Sequence, residues 1–427
     1  MGHALAKCAT WRSVGTAVIG LMSVVAAGQA SAGASLRPEA RPFCAAVARA
    51  VDEAGPGGGP VFVASYRAGP SESEVPPPLR TSAFTYDDAL AAIALVACGE
   101  TARATRIGDA LLVATRHDRS FADGRVRNAY RAGPVDQGAP ALPGWWDAAA
   151  GRWDEDAYQD ATATGNAAWA ALALLTLDEA TSRAEYRDGA AALLGWIGSH
   201  ASDAPGPPGY AGGVSGFDGA QRALTWKSTE HNIDVAAAAA WLNRLAPDPA
   251  LAAMAARARS FVASRFRTPS GMFLLGTTPD GADADPSHLA LDVQLWPVIG
   301  VPEAAPAWRR ALGFADAHLR RGDGMTFAGI GPNRWTEGTA QAALTFRAVG
   351  ADTLANVFLA GLPAHASPSG LLYATSAGDV PTGLMVEADG GDAFTYAHRP
   401  HLGATAWAAL AAQRWNPFTG RRVAGHA

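Results

Sequence analysis

Apolar residues in this chain are grouped into stretches with helical spacing, and the period-two alternation that strands require is rare. Some stretches, such as 167–177 and 235–241, are apolar all round, whereas 255–266 places arginine and other polar residues on one face. A helix that is apolar all round is buried between other elements, and a helix with one apolar face lies outside them. The pattern predicts helices near 38–54, 84–99, 102–116, 165–177, 184–200, 230–245, 249–265, 285–300, 304–319, 335–350, 351–365 and 401–414.

The two helix types alternate along the chain. The helices predicted to be buried begin near residues 85, 164, 229, 287, 336 and 402, at unequal spacings of 49 to 79 residues. Six buried helices, each paired with an exposed one, form a repeat of helical hairpins separated by unequal loops. We therefore predict an all-α fold, a single (α/α)6 barrel with six inner and six outer helices. The alternative is an open α-solenoid, for which more uniform loops and polar end caps are expected.

The first 32 residues have the pattern of a secretory signal peptide. Lys7 and Arg12 precede the apolar stretch 14–27, and 30–32 supplies small residues at the spacing that signal peptidase recognises. We expect cleavage after this segment, a barrel formed by 33–427, and a mature protein that is periplasmic or secreted. No later stretch offers about 20 uninterrupted apolar residues, so we predict no membrane span.

Charge and cysteine content narrow the class of protein. The formal net charge is -5 and no run of lysine and arginine is present, which argues against a nucleic-acid partner. Of the 34 basic residues, only Lys7 and Lys227 are lysines. After cleavage two cysteines remain, Cys44 and Cys98. They either form a disulfide in an oxidising compartment or stay as two buried thiols.

The residues that open the inner helices carry most of the polar chemistry. The helix bodies are mostly alanine and leucine, whereas the openings contain carboxylates, amides, imidazoles and indoles. In a barrel with roughly parallel inner helices, these openings meet at one end, which we call the rim. We predict the functional site there. The openings are 85–88, 164–166, 226–234, 288–292, 333–338 and 399–403.

The helix count, the alternation and these openings together resemble the six-hairpin glycosidase superfamily, over nearly the whole of 33–427. The resemblance implies a glycoside hydrolase that cleaves a poly- or oligosaccharide by acid/base catalysis, usually with inversion. It also implies that a glutamate at one inner-helix mouth donates the proton and that an aspartate or glutamate across the barrel is its partner.

Glycoside hydrolysis requires one protonated carboxylic acid and one ionised carboxylate. Glu230 is the candidate proton donor, because the indole of Trp226 and the crowded opening are expected to desolvate it. An acid in the first turn of a helix also has a purely structural explanation, since it complements the helix dipole. Several acids that converge on one rim repel each other, which stability alone would not select, so we favour a functional explanation for these acids. The candidates for the base remain Glu337, Asp87, Asp88 and Asp292.

Aromatic residues supply candidates for substrate binding. Several of the 13 tryptophans lie in loops or at helix openings, and indoles stack on the apolar faces of sugar rings. The segment 145–160 is the richest of these loops, and we predict that it forms a wall of the cleft. Asp234 follows Glu230 by one helical turn and either orients it or pairs with Lys227 or Arg222. The candidates for substrate binding are Trp226, Lys227, His231, Asn232, Asp234, Trp335, Trp145, Trp146, Tyr396, Arg399 and His401.

Two other functions remain open. A polysaccharide lyase or uronate epimerase abstracts a proton next to a carboxylate, and the segment 394–401 offers tyrosine, histidine and Arg399 for that chemistry. A non-catalytic glycan-binding protein is the third possibility. His288 and Asp292 stand four residues apart, but no third ligand follows at a recognisable spacing, so we predict no metal. We expect a monomer that binds a carbohydrate and uses no cofactor.

Overall fold

The computed structural model describes residues 36–424, apart from 69–74, 137 and 387–391. The predicted signal peptide, 1–32, lies outside the described residues. The described chain contains twelve helices of 10 to 18 residues. They are α1 Arg41–Ala54, α2 Thr85–Ala97, α3 Thr101–Arg116, α4 Thr164–Thr181, α5 Ala184–His200, α6 Thr229–Leu245, α7 Pro249–Arg265, α8 Leu291–Gly300, α9 Arg310–Leu319, α10 Thr336–Ala348, α11 Asp352–Gly361 and α12 Leu402–Gln413.

The even-numbered helices form a closed inner ring. Each packs against the next, from α2 through α4, α6, α8 and α10 to α12, and α12 packs back against α2. The odd-numbered helices lie outside, so that α3 covers α2 and α4, and α5 covers α4 and α6. An open solenoid would leave α12 and α2 apart. The predicted (α/α)6 barrel is therefore confirmed.

The side chains explain which helices are inside. Every residue of α12 is buried, and half are alanine, which lets neighbouring helices approach closely. In the outer helix α1, by contrast, Phe43, Val47 and Val51 are buried at helical spacing while the opposite face carries the exposed Asp52 and Glu53. In the part of the chain that the structure describes, no helix combines the length and apolarity that a membrane span requires.

The helix α8 begins later than the sequence pattern predicts. The Asp285 side chain accepts hydrogen bonds from the amide and hydroxyl of Ser287, at 2.8 and 2.7 Å, and this turn competes with the helix. His288 is therefore an exposed loop residue and does not share a helix face with Asp292. Two further predicted helices are shorter because their ends are 3-10 turns, at Pro306–Arg309 and Leu362–His365.

Short antiparallel strands fix the loops to one another. Most have only two or three residues, too few for the alternation by which a sequence predicts a strand. The pairs are Val61–Phe62 with Gly133–Pro134, Ser82–Phe84 with Ala129–Arg131, Trp145–Asp147 with Arg152–Asp154, Thr162–Ala163 with Gly213–Ser215 and Arg222–Leu224, Lys227–Ser228 with Gly276–Thr277, Phe266–Arg267 with Met272–Phe273, Arg320–Arg321 with Gly324–Met325, Val380–Val386 with Asp392–Tyr396, and Trp415–Asn416 with Arg421–Arg422.

One hydrogen bond recurs at the N-terminal ends of five inner helices. The amide of the first residue donates to a carbonyl of the loop that precedes the next inner helix, at 2.8 to 3.0 Å. Helix N-terminal amides have no partner within their own helix, so these bonds satisfy them and also fix the order of the loops around the rim. The pairs are Thr85 to Asn128, Thr164 to Gly212, Thr229 to Leu275, Thr336 to Ala374 and Leu402 to Ser65.

A disulfide joins Cys44 in α1 to Cys98, directly after the end of α2. Both residues are buried. The bond ties the first outer helix to the first inner helix across a separation of 54 residues. Of the two alternatives that the sequence left open, a disulfide or two buried thiols, the structure contains the disulfide.

We expect the double variant Cys44→Ala/Cys98→Ala to be less stable than the wild type. In the chain-entropy account, opening a loop of this length costs about 4 kcal/mol in the free energy of unfolding. Urea unfolding followed by circular dichroism measures the difference. A reductant should lower the wild-type midpoint to that of the variant and leave the variant's midpoint unchanged. Equal midpoints for the two oxidised proteins would contradict the prediction.

Candidate active site

Three buried indoles fill the barrel axis, one from each of three alternate inner helices. Trp169 of α4, Trp296 of α8 and Trp407 of α12 lie with ring centroids 5.5 to 6.0 Å apart. We call them the tryptophan floor. Two of their N–H groups donate to neighbouring polar residues, Trp407 to the Tyr86 hydroxyl at 2.9 Å and Trp296 to Oε1 of Gln341 at 3.2 Å. The floor is therefore apolar but orients specific polar groups.

Glu337 is held by both of these groups. The Tyr86 hydroxyl donates to Oε1 of Glu337 at 2.7 Å, and the Gln341 amide donates to the same oxygen at 3.2 Å. The residue is almost fully buried. Burial raises the pKa of Glu337 to about 7, against the opposing effects of His401 and the Tyr86 hydrogen bond. A carboxyl group of this kind changes its protonation state near neutral pH.

Asp87 and His401 form a second buried pair beside Glu337. Nε2 of His401 lies 3.2 Å from Oδ2 of Asp87, and Nδ1 accepts the amide of Ala404 at 3.2 Å. Burial lowers the pKa of His401, but Asp87 and Glu337 outweigh it and the net direction is upward. A side chain at Gly403 would place its Cβ 2.3 Å from Asp87 Oδ1, so only glycine fits this position.

Asp87, Glu337 and His401 also offer three potential metal-ligand atoms within 4.8 Å of one another. Both ring nitrogens of His401 already have partners, however: an amide that donates to Nδ1 and a carboxylate at Nε2. Metal coordination needs a free nitrogen lone pair. Because Nδ1 accepts an amide, Nε2 carries the ring proton, and its hydrogen bond to Asp87 accounts for the short contact without a metal.

Carboxyl groups from three successive inner helices lie close enough to affect one another. Glu230 of α6 is partly exposed, and its pKa is raised well above the usual value by burial, then by Asp292 and Glu337. Asp292 of α8 is buried, accepts the amide of Val293 at 2.6 Å, and has a pKa of about 7 because of burial. We call Glu230, Asp292 and Glu337 the acid cluster. The sequence named all three residues as catalytic candidates, and the structure brings them together.

Asp234 lies one helical turn below Glu230 and is fully buried. Neither carboxylate oxygen has a hydrogen-bond partner among the described residues. Burial, followed by Glu230 and Asp292, raises its pKa well above the usual value, and the indole of Trp169 opposes this rise. It pairs with neither Lys227 nor Arg222. Asp234 therefore adds to the acid cluster from below.

Tyr396 borders the acid cluster. Burial raises the pKa of Tyr396, and Glu337, Asp292 and Glu230 all contribute to that rise. Its ring lies 4.9 Å from that of Trp335, which is buried and supports it from behind. Trp335 therefore positions Tyr396 rather than a sugar.

Three predicted residues do not join the cluster. Asp88 is fully buried and accepts the amide of Val63 at 3.1 Å, because the residue after Asp87 lies on another face of α2. The amine of Lys227 donates to the backbone carbonyls of Ala204 and Pro205. Asn232 bonds to both the amide and the carbonyl of Tyr210. These contacts hold loops in place, so we drop the three residues as candidates.

The remaining predicted residues lie around the rim. His231 packs under Trp226, with centroids 5.5 Å apart, and burial lowers its pKa to about 4, so its ring is neutral. Arg399 is partly exposed, two residues before His401. Trp145 and Trp146 lie on the hairpin of the predicted cleft wall, where Trp146 is 62% exposed.

The sequence analysis missed two residues that hold Glu337. Tyr86 directly precedes Asp87, and Gln341 follows Glu337 by four positions, one helical turn deeper. Helical spacing from each candidate acid could have indicated both. Their partner atoms could not be inferred, because the bonds join different inner helices.

Comparison with known proteins finds solved structures with a similar fold. No protein-family model and no curated protein matches this chain. A glycosidase variant solved in complex with glucose is similar, with a TM-score of 0.57 and 15% identity over 88% of this chain and 95% of its own. The cellobiose 2-epimerase of Spirochaeta thermophila has a TM-score of 0.57 and 13% identity over 89% of this chain and 98% of its own. That of Bacillus thermoamylovorans gives 0.54 and 13% over 82% and 92%.

These neighbours are glycosidases and sugar epimerases built on the (α/α)6 barrel, and the chain shares their fold. The likeness confirms the predicted (α/α)6 fold and shows the fold alone. Identities of 13 to 15% carry no information about substrate or reaction.

We expect Asp292→Asn to stabilise the protein increasingly as pH rises. The pKa of Asp292 is 3.8 in the unfolded reference and about 7 when folded. Proton binding at Asp292 therefore adds to the free energy of unfolding in full below pH 3.8, and this contribution is lost as pH rises through 7. Asparagine cannot ionise and keeps the bond to Val293. Urea unfolding at pH 4 to 8 should show a growing difference in unfolding free energy.

The matched control is Asp285→Asn, on the exposed loop before α8, where hydrogen bonds from Ser287 lower the pKa. This variant should show no gain with rising pH. If the curves of Asp292→Asn and the wild type run parallel from pH 4 to 8, burial of an ionisable group at this position is refuted.

Proposed function

We propose that this protein is a carbohydrate-active enzyme, and specifically a glycoside hydrolase that acts on a poly- or oligosaccharide. The observation that carries the proposal is the acid cluster: three carboxyl groups from α6, α8 and α10 lie at one rim, and the pKa of each is raised. Their mutual repulsion costs stability, and burial adds to that cost. Hydrolysis of a glycosidic bond needs such a set, with one acid protonated and one ionised.

Glu230 is the proton donor in this proposal. Its raised pKa favours the protonated form, and it is the most exposed member of the acid cluster. It gives its proton to the glycosidic oxygen as the bond to the anomeric carbon breaks, so the leaving sugar departs as a neutral alcohol.

Glu337 is the base. Tyr86 and Gln341 fix its Oε1, while Oε2 is buried and has no hydrogen-bond partner among the described residues, so we assign the attacking water to this oxygen. The ionised carboxylate takes a proton from that water as its oxygen attacks the anomeric carbon. Attack from the face opposite the leaving group inverts the configuration, which is the outcome we propose.

We propose that the enzyme works outside the cytoplasm, in the periplasm or after secretion. The disulfide between Cys44 and Cys98 supports this compartment, because such bonds persist where thiols are oxidised. The signal-peptide pattern of 1–32 is consistent with it.

Isotopes distinguish hydrolysis from the two alternative functions. Incubation of the protein with a panel of glycans in H₂¹⁸O should place one ¹⁸O in each new reducing end. A lyase would instead release an unsaturated, ultraviolet-absorbing end, and an epimerase in ²H₂O would introduce deuterium at carbon without shortening the chain. A protein that binds a glycan of the panel and leaves it unchanged in all three assays would be a binding protein.

We expect Glu230→Gln to lower kcat by about 10³-fold on a natural glycan, since general acid catalysis contributes about 10²–10⁴-fold. With an aryl glycoside whose phenol is acidic, the leaving group needs no proton, so the loss should largely disappear. Glu53→Gln, an exposed glutamate on the outer helix α1, is the control and should retain full activity. An equal loss of kcat on both substrates would show that Glu230 is not the general acid.

Tyr86→Phe tests Glu337 as the base through the pH profile. The Tyr86 hydroxyl donates to the carboxylate and lowers the pKa of Glu337. Its removal should raise that pKa, so the acidic limb of kcat/KM, expected near pH 7, should move to higher pH. A change in kcat with an unmoved limb would show that the base is another acid, and Asp292→Asn would then be tested in its place.

A further inference from the structure

A large open hollow lies on the loops beside the rim. Its volume is about 710 Å³, and the hairpin of Trp145–Asp147 and Arg152–Asp154 forms one side of it. Phe217, on a separate loop, forms the other side. Trp153 and Phe217 are 46% and 41% exposed. Exposed rings gathered around one concavity are a sign of a binding surface, whereas single exposed apolar side chains are ordinary. We call this site the distal hollow.

The aromatic rings of the distal hollow are held in place from behind. The Arg131 guanidinium lies 5.1 Å from the ring centroid of Trp153. The ring also packs against Gly144, where an added Cβ would come within 2.5 Å of the indole nitrogen. A ring fixed before binding loses little conformational entropy when a ligand stacks on it.

One arginine joins the two sides of the distal hollow. Arg119 donates to both oxygens of Glu155, at 2.7 and 2.8 Å, and Glu155 lies directly after the hairpin. The same guanidinium donates to Asp218 at 2.7 Å, and Asp218 directly follows Phe217. Arg127 binds Asp218 as well, at 2.5 Å. The spacing between the hairpin and the Phe217 loop is thus set by ion pairs.

One short helical turn links the distal hollow to the surroundings of the acid cluster. Asp156 lines the hollow and caps the helical turn Ala157–Asp160 by accepting the amide of Gln159. That turn carries Tyr158, whose pKa burial raises to about 12, with contributions from Glu230 and Asp87. A single turn of helix therefore separates the hollow from the carboxyl groups. A chain bound at the acid cluster can extend over Tyr158 into the distal hollow.

The charge of the lining restricts the ligand. Asp154, Glu155 and Asp156 line the hollow, where Arg152 pairs with Asp154 and Arg119 with Glu155, so three acidic groups stand against two basic ones. Carboxylates accept hydrogen bonds from sugar hydroxyls, and they repel uronates and sulfated sugars. A volume of 710 Å³ falls within the range of about 300–1,000 Å³ that holds ligands of the size of a short oligosaccharide.

We propose that the distal hollow binds sugar units of a neutral glycan chain, beyond the bond that is cut, by stacking them on Trp153 and Phe217. This proposal rests on the proposed function, since it assigns the hollow to the same substrate. It names the substrate class as an uncharged polysaccharide or long oligosaccharide and disfavours polyuronates.

Affinity electrophoresis tests the proposal on the whole protein with polymers matched for backbone. The neutral probes are hydroxyethyl cellulose, dextran and galactomannan, and the anionic counterparts of the first two are carboxymethyl cellulose and dextran sulfate. We expect at least one neutral polymer to retard the wild type, its anionic counterpart to retard it far less, and Trp153→Ala to weaken the binding about tenfold. The control is Val357→Ala, because Val357 is an exposed apolar residue on the outer helix α11 and does not line the hollow.

Each outcome decides the proposal. Equal retardation of Trp153→Ala and the wild type, equal weakening by Val357→Ala, preference for the anionic polymers, or no retardation by any neutral polymer would overturn it. The same gels run with Glu230→Gln separate it from the proposed function. Neutral binding that depends on Trp153 in a protein without hydrolytic activity would support the hollow and refute the hydrolase. Turnover that depends on Glu230 with binding indifferent to Trp153 would do the reverse.

Discussion

The geometry of the rim depends on hydrogen bonds that pass from each hairpin to the next. The first amide of an inner helix is bound by the loop that leads into the following inner helix, and the bond from Leu402 to Ser65 returns this pattern to the start of the ring. Three hydroxyls, those of Thr85, Thr164 and Thr229, add a second bond of 2.6 Å to the same loops. Helix ends that would otherwise lack partners therefore fix where five of the six openings lie.

The interior of the barrel is acidic at the rim and apolar beneath it. The tryptophan floor excludes water beneath the acid cluster, and a medium of low polarity strengthens electrostatic interactions. Its indoles also act through Tyr86 and Gln341 to hold one oxygen of Glu337. Buried acids such as Asp234 reduce stability. The large alanine-rich core and the disulfide offset that reduction, so the site is maintained at the expense of the rest of the fold.

The architecture could be predicted from the sequence because helices apolar all round, such as α12, have one physical solution: burial within other helices. The location of the site followed, since parallel inner helices bring Glu230, Asp292 and Glu337 to one rim. Finer features did not follow. Asp87 and Asp88 are adjacent and chemically identical, and only the tertiary contact of Asp88 with Val63 separates them. The start of α8 depended on a local turn that competes with the helix.

Lys227 has a consequence for the chemistry of the surface. It is the only lysine in the part of the chain that the structure describes, and its amine is buried against two carbonyls of the loop before α6. The other cationic side chains there are arginine and histidine, which acylating reagents modify poorly. Reagents that acylate amines therefore react with a lysine in this region only when the loop before α6 opens. The rate of acylation at this single position reports how often the barrel's loops detach, independently of any substrate.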